Sequence, residues 1–384
     1  MKPRYLAGKA CARLRRGDPG KEAQHPSGDD MSNTPRLFLT RAGRDGEDEE
    51  FALEQSLAVI GFRDIPSLQT ARDYPDVQRL VEAAHPDAAK RRIGNWAGQL
   101  WAFAISMAEG DIVVMPCKTS GQIAIGRVSG PYKFQMVGDA LRHTRPVRWQ
   151  RKDVTRTNFR QDLLDSMGAF MTVCQIQRNG AVDRVMAVMN GDSDPGLDSQ
   201  TGEPAAAPSE TQTPATIAEE HVDYERSARD KIIKFIAENF REHDLTHLVA
   251  AVLAADGWVT KVSKPGPDGG VDIYAGRGSL GTEQPRLVVE VKSQRTPADV
   301  GVYRGLKSSI QTFNADHGLL VCLGGFNRAV DREARQDHFK VRLWTSEDLL
   351  DAIVRLYPAM SKEMQSRRPL KPIWTLLDDE ATLG

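Results

Sequence analysis

Leu287-Val288-Val289-Glu290-Val291-Lys292 sets two opposite charges into a run that otherwise reads as a buried strand, shortly after Pro267-Asp268-Gly269-Gly270-Val271-Asp272-Ile273-Tyr274. Side chains two apart in a strand share a face, so Glu290 and Lys292 project together while Val289 and Val291 turn toward a core. Asp272, entered through a glycine-rich turn on the preceding strand, is expected to lie beside them. A buried strand ordinarily carries Val or Ile at such positions, and that makes the charges informative. Two carboxylates offer oxygen to a hard cation such as Mg²⁺ or Mn²⁺, with the Val291 carbonyl as a further ligand. Beside them a lysine is placed to orient or deprotonate water, which is the equipment of metal-assisted phosphodiester hydrolysis. A structural Glu-Lys pair on a solvated strand face is the competing reading.

The 384 residues suggest two domains, and 40% hydrophobic with 27% charged residues is ordinary for a globular protein. A net charge of -1 leaves any attraction for phosphate to local patches. No run reaches the roughly 18 apolar residues of a membrane span, and the N-terminus around Arg13, Arg15 and Arg16 lacks an apolar signal core. A cytoplasmic protein is expected. Cys11, Cys117, Cys174 and Cys322 are widely spaced, without a zinc pattern, and free buried thiols are the default. His243 and His247 share a helical face but have no third ligand in sequence context. Asp45 to Glu50 lacks a calcium-loop pattern, and Gly266, Gly269 and Gly270 are not followed by the Gly-Lys-Ser/Thr of a P-loop.

Along the chain, residues 1–34 read as a disordered extension, with a natural-looking start at Met31. Residues 35–190 form a first domain: Leu37 to Thr40 as a strand, Phe51 to Ile60 as a helix, and strands at Asp111 to Pro116 and Gln122 to Val128. Met171 to Gln177 and Arg184 to Met189 are expected to close a small barrel. Residues 191–222 contain no Lys or Arg and read as a flexible acidic linker. Residues 223–360 alternate helices and strands in an α/β/α pattern, and 361–384 are a tail.

The landmarks Leu245-Thr246-His247-Leu248-Val249, Gly257-Trp258, Gly266 to Ile273, Val289-Glu290-Val291-Lys292 and Gly318 to Val321 resemble, in order and spacing, the catalytic domain of Mrr-type restriction endonucleases of the PD-(D/E)xK superfamily. Gly324-Gly325-Phe326 fits as well. The resemblance covers about residues 240 to 356. It implies a mixed sheet between helices, Asp272 and Glu290 as metal ligands, and Lys292 as the catalytic lysine. Many members carry Gln where this chain has Glu290. The first helix of the family often carries Glu near Thr246, and that acid is missing here. Gln311 is a possible accessory contact to phosphate, with an exposed helical amide as its ordinary reading.

Arg142 to Arg160 is a dense basic tract containing Arg148, Trp149, Arg151 and Lys152, and Lys90, Arg91 and Arg92 precede Trp96 and Trp101. Cations neutralise phosphates and aromatic rings stack on bases; a solvated charged face over buried tryptophans is the alternative. Trp96, Trp101, Gly110 to Pro116, Ile125 to Val128 and Tyr132 look like the PUA-like barrels, nearest to EVE-type domains. That resemblance implies a pocket for a flipped, modified base, with Trp96, Trp101, Tyr132 and Trp149 as candidate rings.

The expectation is thus an α/β multidomain protein with a PUA-like β-barrel flanked by helices and a restriction-endonuclease-like α/β/α domain. It would cut double-stranded DNA carrying modified bases, in the manner of a restriction and phage-defence enzyme, as a homodimer at least on DNA. The linker would permit a variable distance between reading and cutting. An inactive nucleic-acid-binding protein, or an RNA or repair nuclease, is the alternative.

Overall fold

The computed structural model describes residues 34–168, 171–197, 223–264 and 270–373. The expected N-terminal extension (except Thr34), most of the expected linker, the turn Pro267-Asp268-Gly269 and residues 374–384 lie outside them.

The N-terminal part holds strands β1 (Leu37–Thr40), β2 (Leu57–Ile60), β3 (Ile112–Pro116), β4 (Gln122–Val128), β5 (Lys133–Val137), β6 (Ala140–Thr155) and β7 (Val173–Ile176). Its helices are α1 (Glu49–Glu54), α2 (Tyr74–Ala84), α3 (Lys90–Trp101), α4 (Gln161–Met167) and α5 (Ala181–Met189). The strands form a seven-stranded mixed sheet of order β2-β6-β4-β3-β1-β7, with β5 also paired to β6. Strand β6, 16 residues long, organises it: its first half pairs with β2 and β5, its second with β4. Changing partners midway curls the sheet, and the register with β4 slips around Ile125 and Gly126. Only glycine fits at 126, where an added Cβ would stand 2.6 Å from Val147 and 2.7 Å from the Arg148 carbonyl. Because β2 and β7 remain the two ends of the path, the expected barrel is a curled sheet that does not close.

Three local expectations change. The expected helix over Phe51 to Ile60 stops at Glu54; Ser56 adopts φ 57° and sends Leu57–Ile60 into a strand. The expected strand at Arg184 to Met189 belongs to helix α5, whose Val185 and Val188 are buried three apart, as a helix face requires. The expected linker start is also displaced, since Asp194 is buried, accepts from Arg184 Nε at 2.7 Å and caps the Arg160 N–H at 2.8 Å.

The C-terminal part holds α6 (Tyr224–Asn239), α7 (His243–Ala255), β8 (Val259–Val262), β9 (Ile273–Arg277) and β10 (Glu283–Lys292). There follow α8 (Val300–Thr312), β11 (His317–Cys322), α9 (Arg328–Gln336), β12 (Val341–Trp344), α10 (Ser346–Leu356) and α11 (Lys362–Arg367). The last helix and the buried Arg368 lie in what the sequence suggests as a tail. The five-stranded sheet runs β12-β11-β10-β9-β8, parallel from β10 to β12 and antiparallel from β8 to β10. Leu287, Val289 and Val291 pack with Leu248, Val252, Leu349 and Ile353 from α7 and α10. Val288 turns to the opposite core with Tyr303, Leu306 and Val330 from α8 and α9. The α/β/α sandwich read from alternation is therefore the one observed.

From Pro35 onward the chain is one unit, and its two parts meet through buried polar contacts. The Arg156 guanidinium forks onto Asp230 of α6 at 2.6 and 2.5 Å, and these side chains are 8% and 1% exposed. Within the C-terminal part, Arg226 bonds both Asp230 and Glu347, and Arg229 bonds Glu347 at 2.9 Å and Asp351 at 2.7 Å. Thr155, the last residue of β6, donates its hydroxyl to the Arg295 carbonyl at 3.2 Å, in the loop that follows Lys292. Among the described residues no helix is long and apolar enough to cross a membrane, and Cys117, Cys174 and Cys322 are buried.

Candidate active site

Strand β10 brings Glu290 and Lys292 to the face that Val288 occupies, and Lys292 Nζ lies 2.9 Å from Glu290 Oε1. Val289 pairs with Ile273, so Asp272 stands next to Glu290 at the mouth of β9. The backbone bends there: Val271 and Ile273, two apart, enter opposite cores, which a regular strand does not allow. The bend frees Asp272 to reach along the sheet, where its Oδ2 accepts the Val291 N–H at 2.7 Å. The N–H and C=O of one strand residue point the same way, so the Val291 carbonyl also faces the Asp272 side rather than β11. On its other flank the Asp272 carbonyl accepts the Ser263 N–H at 2.8 Å.

Electrostatics tie the group together. Burial is the largest influence on Glu290 and raises its pKa above the ordinary carboxylate range; Lys292 opposes this and the charge of Asp272 adds to it. Burial alone would lower the Lys292 ammonium, but the Glu290 hydrogen bond and the charges of Glu290 and Asp272 outweigh it and hold the pKa above its usual value. Two neighbouring carboxylates, a carbonyl turned to the same edge and one ammonium compensating them make an oxygen donor set suited to a hard divalent ion. Among the described residues no group of three or more His, Cys, Asp or Glu is disposed to hold a metal. On α7 the position of the missing acid, Thr246, is buried and returns its hydroxyl to the Glu242 carbonyl at 3.4 Å. His243 and His247 stack edge to face, 4.6 Å between centroids, on the exposed side of that helix.

Gln311 is not part of this group. Its neighbour Ile310 packs on Gly318, which pairs with Val288, and Gln311 itself is exposed on α8. A groove of about 480 Å³ lined by Trp258, Leu287, Leu319 and Trp344 lies toward the start of the parallel strands, away from Glu290.

The candidate reader residues are dispersed. Trp149 is buried, with its indole N–H donated to the Ala52 carbonyl at 3.2 Å, and Tyr132 is buried between Phe103 and His143. Trp96 and Trp101 are half-exposed on α3, against His85 and Tyr74 respectively. Among the described residues no ring contact joins any two of these four aromatics. Much of the basic tract is internal wiring: Arg142 pairs with Asp48, Arg145 binds the carbonyls of Phe103, Ala104 and Gly130, and Arg156 takes Asp230. Lys152 donates to the Leu53 carbonyl at 2.7 Å, and Arg151 to the Val188 carbonyl at 3.3 Å. Arg148 is exposed. Charge density in the sequence did not distinguish cations bound inward from cations facing solvent.

Residues 38–177 match a family described as a domain of unknown function. No curated protein sequence matches the chain. Among solved structures, the DNA modification-dependent restriction endonuclease AspBHI is 14% identical with a TM-score of 0.30, covering 85% of this chain and 82% of that one. The MspJI restriction endonuclease, solved in complex with a 27-mer oligonucleotide, is 15% identical with a TM-score of 0.30, covering 84% and 76%. Residues 237–353, the segment that contains Asp272, Glu290 and Lys292, match the Mrr catalytic family, described as restriction endonuclease.

Proposed function

We propose that the chain is a modification-dependent DNA endonuclease in which Asp272, Glu290 and Lys292 form the hydrolytic site and the N-terminal part reads a modified base. The observation that carries the reading is the meeting of these three side chains, on the bend before β9 and the end of β10, inside a domain matched to restriction endonucleases. Asp272, Glu290 and the Val291 carbonyl would hold a divalent cation, Mg²⁺ or Mn²⁺. Once bound, that ion supplies charge stabilisation at the phosphate and lowers the pKa of water. The Val291 N–H fixes one oxygen of Asp272 at 2.7 Å and so holds the carboxylate beside Glu290. Lys292, 2.9 Å from Glu290, would orient the phosphate and the attacking water.

Cutting both strands of a duplex takes two such sites, so a homodimer on DNA belongs to the proposal. The N-terminal part is proposed as a PUA-like reader, with Trp96 and Trp101 as the accessible rings and Arg148 as an exposed phosphate contact. Incubating the full chain with Mg²⁺ and plasmids that are unmodified, methylated or hydroxymethylated tests the reading. The expected result is cleavage of a modified plasmid only. Binding without cutting on every plasmid would favour an inactive nucleic-acid-binding protein, and cutting of RNA alone an RNA nuclease.

A further inference from the structure

Two carboxylates and one carbonyl are a sparse set for a small cation that prefers six oxygens, and a site of this kind leaves several waters on the ion. Those waters need acceptors of their own. The helix that might have supplied another acid offers Thr246 instead, with its hydroxyl turned back on its own helix.

Ser263 lies on the other flank of Asp272, just past β8, and its N–H donates to the Asp272 carbonyl. Val262, its predecessor, packs in the same core as Ile273 and Val289, so alternation turns Ser263 toward the opposite face, the one bearing Glu290 and Lys292. The Ser263 hydroxyl is buried and has no hydrogen-bond partner among the described residues. A buried hydroxyl without a partner costs about 1–3 kcal/mol, and in a native chain it calls for an explanation.

We propose that Ser263 is a positioning residue of this site, its hydroxyl bonding to the hydration shell of a divalent cation held by Asp272 and Glu290. The proposal rests on the nuclease reading above and adds a residue that the sequence pattern did not mark. Groups that bond to a metal's surroundings without ligating it commonly change affinity by about 10- to 100-fold when removed.

The test is calorimetric titration of Mn²⁺ into the full-length chain, comparing wild type with Ser263→Thr, which keeps the hydroxyl, and Ser263→Val, which has the same shape without it. The expected result is binding within about threefold of wild type for the Thr variant and about 10-fold weaker or worse for the Val variant, with both variants folded. Equal Mn²⁺ affinity in the Thr and Val variants would overturn the role of Ser263 and leave the nuclease reading standing. A wild-type chain that neither binds Mn²⁺ nor cuts DNA would overturn the reading beneath it. If the Val variant does not fold, Ser263→Ala replaces it, with the same two outcomes.

Discussion

Glu290 is a carboxylate held mostly out of water, and it is paired with Lys292 on the same strand face. Its raised pKa shows how much that position costs without a counter-charge, which is why the pair stands out from the valines around it. A different residue makes a measurable statement about stability. His143 is fully buried in β6, bonded at 2.7 Å to the Tyr132 hydroxyl, and burial pushes its pKa from 6.5 down to about 4. Between those values the unfolded chain binds the proton and the folded chain does not, so stability falls as pH drops through this window. The loss approaches about 3 kcal/mol at the acid end. Urea unfolding at pH 7.5 and pH 4.5 should show that loss in wild type and much less of it in His143→Gln; an equal loss in both would show that His143 is not its source.

At the scale of elements, period-two alternation made the C-terminal sheet legible: Leu287 to Lys292 sorts its side chains between two cores as read. The N-terminal sheet was less legible for identifiable reasons. Strand β6 contains Pro146 and many charges, which argue against a paired strand, yet Arg142, Arg145 and Arg156 find partners inside the protein. The β-branched residues of Arg184 to Met189 suggest a strand, and packing made a helix over Ala181–Met189. The bend at Asp272 was invisible because it belongs to the pairing with β10, not to the local sequence. Trp149 follows the same lesson: its aromatic character suggests a stacking surface, while its place on β6 puts it in the core. Trp149→Ala should therefore lower unfolding stability by about 3–5 kcal/mol, measured in urea at pH 7.5, and a variant as stable as wild type would contradict its core position.

At the scale of the whole molecule, the contacts between the two parts change the expectation of a loose tether. The Arg156–Asp230 pair is buried on both sides, and the Thr155 hydrogen bond reaches the loop after Lys292, so the curled sheet is seated on the C-terminal sheet rather than strung to it. Under the proposed function, cutting is then expected at a narrow distance from the modified base. Removing one partner of a buried pair leaves the other uncompensated, so Asp230→Ala should cost about 3–5 kcal/mol in unfolding and should spread the cut positions on a singly modified duplex. A single sharp cut in Asp230→Ala, with unchanged stability, would contradict the coupling.

The central claim is that Asp272, Glu290 and Lys292 hydrolyse DNA, and the most direct measurement compares wild type with Lys292→Ala on a modified plasmid in Mg²⁺, following both binding and cleavage. Loss of cleavage with binding retained is the predicted result. Cleavage by Lys292→Ala at the wild-type rate would contradict it.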